Sequence, residues 1–113
     1  MGVSFPHALE DFHYGNLVRL GIDQPVAVSL LCSAYALQIA GMVLVLRARR
    51  SGAVLLAVTG GAWCIGAAII HGHDMLFAGA AYRHGMISRL LETCIIVFGA
   101  LAVVIGGRLA KQT

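Results

Sequence analysis

The sequence predicts an all-α integral membrane protein with three transmembrane helices, and two observations carry that reading. Hydrophobic residues make up 59% of the 113-residue chain and charged residues only 12%, where a soluble domain carries about 25% charged residues. Three apolar runs also approach the roughly 20 residues that cross a bilayer: "VAVSLLCSAYALQIAGMVLVL" at 26–46, "AVLLAVTGGAWCIGAAII" at 53–70 and "LLETCIIVFGALAVVIGG" at 90–107. Each must be helical, because an open strand edge leaves backbone groups unsatisfied in lipid. The chain reads as a single membrane domain: an outer segment at 1–25, a three-span bundle at 26–107 and a tail at 108–113.

Residues 1–25 do not span. Phe5, Leu9 and Phe12 recur at helical spacing, with Glu10, Asp11 and His13 on other faces. This predicts an amphipathic helix on the outer membrane surface, with Phe12 and Tyr14 at headgroup depth. Its acidic face is unusual for lipid binding, so a partner protein or the rest of the fold would cover it. The acidic start "MGVSFPHALEDF" does not fit a cleaved signal peptide, and Pro6 breaks the myristoylation pattern.

Pro25 falls in the first turn of span one, where a missing N–H costs little. Only "RARRSG" separates spans one and two, which forces a tight antiparallel hairpin. Between spans two and three, "MLFAGAAY" is apolar but too short to cross. It predicts a short interfacial or re-entrant helix at about 75–82, or a continuation of the second helix.

Charge sets the expected orientation. Arg47, Arg49 and Arg50 occupy the hairpin, and Arg108 and Lys111 the tail. By the positive-inside rule the hairpin and C-terminus are cytoplasmic and the N-terminus outside. All five acids then lie on or near the outer side. Seven of the eight basic residues are arginine, in a background rich in alanine, glycine and valine. That composition suggests a bacterial chain, hence the bacterial inner membrane. No basic stripe interleaved with aromatics is present, so nucleic acid is not an expected partner.

The chemistry-bearing residues gather on the outer side. His71, His73 and Asp74 fall in "HGHD", where span two ends. On a continuing helix His71 and Asp74 share a face, whereas on an extended chain His71 and His73 do. Either pair offers ligands for Zn or Cu, with a carboxylate to orient an imidazole. The expectation is nevertheless a hydrated helix end in which His71 bonds Asp74 or a partner. His84 would join only if the 75–82 helix folds back, and His7 or His13 only if the surface helix lies across the site. Glu92 lies about one turn inside span three, with Ser88 and Arg89 a turn before it. A carboxylate at that depth faces protein or water. It pairs with Arg89, accepts a hydrogen bond from a quinone or other head group, or binds a partner subunit. His71, His84, Arg89 and Glu92 are thus the candidate cofactor-binding residues, for quinone or haem b.

Small residues mark the expected packing faces: Gly60, Cys64, Ala67 and His71 in span two, with Ala62 and Gly66 beside them; Ala34, Gln38 and Gly41 in span one; Gly99, Val103 and Gly106 in span three. Three helices cannot use so many small faces among themselves, which favours partner helices. Cys32, Cys64 and Cys94 lie one per span. They suit small apolar packing positions better than a three-thiolate Cu(I) site.

No P-loop, HExxH, GxSxG or CxxCH motif is present, so an enzyme is not expected. "WCIGAAIIHGHDM" resembles the small membrane anchors of succinate dehydrogenase and fumarate reductase, over about a third of the chain. That resemblance implies histidines near helix ends for haem or quinone. It departs in orientation, because the family's quinone end near the soluble subunits is cytoplasmic. The three-span, N-out and C-in layout is similar to that of phage holins, without their heavily charged tail. The leading expectation is a non-catalytic subunit of a bacterial inner-membrane complex, respiratory or photosynthetic. The alternatives are a haem-, quinone- or metal-binding anchor and a holin-like pore former.

Overall fold

The computed structural model describes residues 2–77 and 85–112. They form five helices: α1 (Ser4–Tyr14), α2 (Asn16–Arg19), α3 (Gln24–Leu46), α4 (Arg50–Phe77) and α5 (Gly85–Gln112). No strand occurs among the described residues. Helices α3, α4 and α5 are long and apolar enough to cross a membrane. The protein is therefore an all-α, multi-pass membrane protein.

Each helix outruns the apolar run that predicted it. The 28 residues of α4 and of α5 make rods of about 42 Å, against a hydrocarbon core of about 30 Å. Polar residues at their ends therefore reach the interface while remaining helical. This places "HGHD" on the last turns of α4 rather than in an extended connection. Of the short helix expected at 75–82, residues 75–77 are the end of α4, and 78–82 lie outside the described residues.

Helix α4 is central. It packs along α5 over its length and against α3, while α3 and α5 scarcely touch. The α4–α5 seam is built from small residues. A Cβ on Gly60 would come within 2.8 Å of the Gly99 carbonyl oxygen, and one on Gly99 within 2.6 Å of the Gly60 carbonyl oxygen. Nearer the hairpin, a Cβ on Gly106 would meet the Ala53 carbonyl oxygen at 2.6 Å. Backbones meet directly where glycine removes the side chain, which is how helices associate without a hydrophobic drive. Gly41 brings α3 close to Leu55 and Leu56 of α4 in the same way. Gly66 differs: nothing lies within 4 Å of its added Cβ.

The α3–α4 hairpin closes through Ala48, a left-handed residue with φ 52°. The Ala48 N–H donates to Val45 O and the Arg49 N–H to Leu44 O. This is the Schellman pattern that usually places glycine at the left-handed position.

Helix α1 is amphipathic, as its spacing predicts, and its polar face turns inward. Ser4, His7, Ala8 and Asp11 are buried, while Phe5 and Leu9 are exposed. Of the two covers open for that face, the fold itself supplies one. Helix α1 bridges the gap between α3 and α5. The Tyr35 hydroxyl donates to Ser4 Oγ at 3.1 Å, and the Phe5 and Tyr35 rings lie 6.4 Å apart. Tyr35 is eleven residues along α3, about 16 Å from its start. The first turn of α1 thus reaches towards the middle of the bundle rather than lying flat above it. Gly15, at φ 66°, ends α1 with its N–H on Phe12 O.

Candidate metal centre

The α4–α5 seam that begins at Ala53 and Gly106 ends at His71 and Glu92. His71 is six residues before the end of α4, and Glu92 seven after the start of α5. Both therefore lie about 10 Å inside the helix ends. His71 Nδ1 is 3.2 Å from Glu92 Oε1. Glu92 is 0% exposed and His71 5%. Close packing at Gly60 and Gly99 holds the two helices near enough for this contact.

Helix α1 closes the site from above. His7 and Asp11 are four residues apart and share its inner face. His7 Nε2 and His71 Nε2 lie 3.1 Å apart. Asp11 Oδ2 is 3.3 Å from His7 Nε2 and 3.4 Å from His71 Nε2. The imidazoles meet edge to face, at 72°. Among the described residues, these three side chains converge closely enough to share one metal ion.

An outer ring holds them. Asn16 Nδ2 donates to Asp11 Oδ1 at 2.7 Å. The fully buried Ser88 hydroxyl donates to Glu10 Oε2 at 2.7 Å, and Glu10 Oε2 lies 3.7 Å from His7 Nδ1. His71 Nδ1 thus meets a carboxylate at 3.2 Å and His7 Nδ1 lies 3.7 Å from one, beyond hydrogen-bond reach, while each Nε2 faces the common centre. Burial holds the His7 imidazole below its ordinary pKa, against the raising effect of the Asp11 and Glu10 carboxylates. Burial alone would raise Asp11. The hydrogen bonds from His71 and Asn16 and the charge of His7 outweigh it, leaving this carboxyl below the usual range.

The ligand-atom triangle has the dimensions of one face of a small tetrahedron. Bonds of about 2.0–2.1 Å give tetrahedral edges of about 3.3–3.4 Å, and the three edges here are 3.1, 3.3 and 3.4 Å. An ion about 2.05 Å from all three atoms would sit about 0.8 Å out of their plane, close to the tetrahedral value. Two imidazoles and a carboxylate suit Zn²⁺, or Cu²⁺ among the other borderline ions. Three ligands leave a fourth position open, as catalytic zinc sites do.

The residues expected to form a site separate here. His71 enters the cluster, but not through Asp74. The expected His71–Asp74 pair is replaced by contacts to Asp11, His7 and Glu92. The expected metal set of His71, His73 and Asp74 is likewise not assembled. His73 and Asp74 pair with each other at 3.2 Å on the exposed side of α4; His73, two residues on, is turned about 200° from His71. Arg89 donates to the Met75 carbonyl. His84 lies outside the described residues. His13 is exposed and meets the Tyr14 ring edge to face at 5.0 Å. Cys32 is exposed and the three cysteines are free thiols. His7 enters as the sequence allowed if α1 lay across the site, and Asp11 is the member of the cluster that the sequence did not single out. Their signal was an H-x3-D pair in register with Ser4, opposite Phe5 and Leu9.

Beside the cluster is a cavity of about 330 Å³ between α3 and α4. His7, Asp11 and His71 line one end, and the remaining wall is largely apolar, with Leu30, Leu31, Ala62, Trp63 and Ile95 among its residues. No family model matches the chain, and neither the curated proteins nor the solved structures include a significant match to it.

Proposed function

We propose that this protein is a zinc-binding membrane protein, with the ion held by His7, Asp11 and His71 at one end of the three-helix bundle. The observation that carries the reading is the pairing of two directions in each imidazole. Both Nε2 atoms converge on Asp11 Oδ2 at metal-ligand spacing, and the Nδ1 atoms of His71 and His7 lie 3.2 and 3.7 Å from carboxylates. Metal-bound histidines are characteristically oriented this way, by a carboxylate on the second nitrogen. Without a positive species at the centre, Nε2–H groups must bridge the three atoms, which lie within 3.4 Å of one another. An ion satisfies all of them at once.

The charge pattern supports a bacterial inner-membrane protein with the N-terminus outside and the C-terminus cytoplasmic. Arg47, Arg49 and Arg50 lie at the hairpin end and the cluster at the opposite end. The site would then face the outer side. A role as a non-catalytic subunit of a larger complex is compatible with this chemistry.

Native mass spectrometry of detergent-solubilised protein loaded with zinc and dialysed tests the reading. One zinc per chain is expected, with loss in His7→Ala and His71→Ala and retention in His73→Ala. Zinc that is absent, or indifferent to His7 and His71, would mean that the cluster is a proton-bridged hydrogen-bond network instead. An active alkaline phosphatase fusion at the C-terminus would reverse the orientation.

A further inference from the structure

The open coordination position and the cavity beside it belong to one space. His7, Asp11 and His71 all line the cavity between α3 and α4. On its other sides the cluster is closed by Glu92 and Ser88, both 0% exposed, and by Glu10, which Ser88 holds. Among the described residues, the cavity between α3 and α4 gives a fourth ligand an apolar approach to all three side chains. Its walls are apolar over most of their area, and its 330 Å³ falls at the lower end of the roughly 300–1,000 Å³ typical of small-molecule sites. It lies between membrane-spanning helices, so it fills from the lipid phase.

Resting on the zinc reading, we propose that this cavity binds a lipid-soluble alcohol or phenol, with its hydroxyl oxygen on the metal and its apolar body between α3 and α4. The surroundings select the head group. Asp11, Glu92 and Glu10 already offset the charge of a divalent ion, so a carboxylate head adds unwelcome negative charge. A hydroxyl is neutral, gives the metal a lone pair and directs its hydrogen to a carboxylate. An ether or ketone lacks that hydrogen and leaves the acceptor unanswered, a large penalty in a buried site. Trp63 offers the hydrophobic wall an aromatic surface. Gly66 lines the same space, and nothing lies within 4 Å of an added Cβ there. A larger side chain at that position fills the cavity without meeting the ligand set.

Cobalt-substituted protein in lipid nanodiscs supplies the readout, because the visible Co²⁺ bands report the fourth ligand. The probes are 4-octylphenol, 4-octylanisole and 4-octylbenzoate, which share one apolar body. The phenol should shift the Co²⁺ bands saturably, with at least about tenfold tighter half-saturation than the other two. Gly66→Leu, and Ala62→Leu as a second cavity-filling variant, should keep Co²⁺ and lose the phenol response. If Co²⁺ binds stoichiometrically but no probe alters its spectrum, this proposal fails and the metal reading stands. Anisole or benzoate matching the phenol overturns the hydroxyl assignment. A phenol response that survives both filling variants overturns the cavity assignment. If no Co²⁺ binds at all, both readings fail together.

Discussion

Glu92 Oε1 lies 3.2 Å from His71 Nδ1, across the seam between α4 and α5, and the carboxylate is wholly buried. This contact joins the packing of the bundle to the chemistry of its end. It fixes which imidazole nitrogen turns to the centre. Glu92→Gln keeps the volume and a hydrogen-bonding group but removes the charge. Zinc affinity should fall about 10–100-fold, measured by competition with a chromophoric chelator, while helix content is unchanged. An unaltered affinity would remove Glu92 from the site.

Ser88 anchors α1 through Glu10. A hydrogen bond to a charged group contributes about 1.5–3 kcal/mol, and Ser88 is fully buried. Ser88→Ala should leave the spans intact but loosen α1. Amide hydrogen exchange should rise in α1 and not in the middle of α4. Unchanged protection of α1 would show that its docking does not depend on this bond.

The seam itself is testable at Gly99. An added methyl would lie 2.6 Å from the Gly60 carbonyl and 2.9 Å from the Cys64 N. Both are backbone atoms, so the helices must separate. Gly99→Ala should destabilise the bundle by about 1–3 kcal/mol, read by steric-trap or chemical unfolding in bicelles. Because the same seam sets the His71–Glu92 distance, metal affinity should weaken too. Gly66→Ala, facing open space, should do neither.

Ala48 gives a prediction of the opposite sign. It holds a left-handed φ of 52° at the hairpin, a conformation that costs an L-residue roughly 1–2 kcal/mol. Ala48→Gly relieves this strain and gives back part of it as chain entropy. The net gain should be up to about 1 kcal/mol, seen as a higher unfolding midpoint without change in metal binding.

Much of the fold was legible in the sequence because the bilayer imposes a simple rule: long apolar runs become helices. The small-residue stripes of Gly60, Cys64 and Ala67 and of Gly99 and Gly106 also predicted the seam, since only close backbones explain glycine at those spacings. The site was half legible. His71 and Glu92 stand out as polar groups at helix ends or within spans. His7 was legible only as a conditional, and Asp11 not at all, because α1 descends into the gap between α3 and α5 and no local pattern states that such a gap exists. His73 misled because two residues turn a helix by about 200°, away from His71, and Asp74, though nearer the face of His71, meets His73 instead.

Acidification should empty the site. Ligating imidazoles must present a lone pair, so protons compete with the ion. Zinc occupancy should be full above the histidine range and be lost as pH falls below it, since His7 already lies under its ordinary value. His71→Ala and His7→Ala variants should show no such transition, because they begin empty.

The most direct test of the central claim is X-ray absorption at the zinc edge on the loaded protein in lipid. Zinc on His7, Asp11 and His71 should show a first shell of four light atoms at about 2.0 Å, with multiple scattering from two imidazoles, reduced to one in the His7→Ala protein under excess zinc. A six-coordinate oxygen shell without imidazole scattering, or a spectrum unchanged by that substitution, would contradict it.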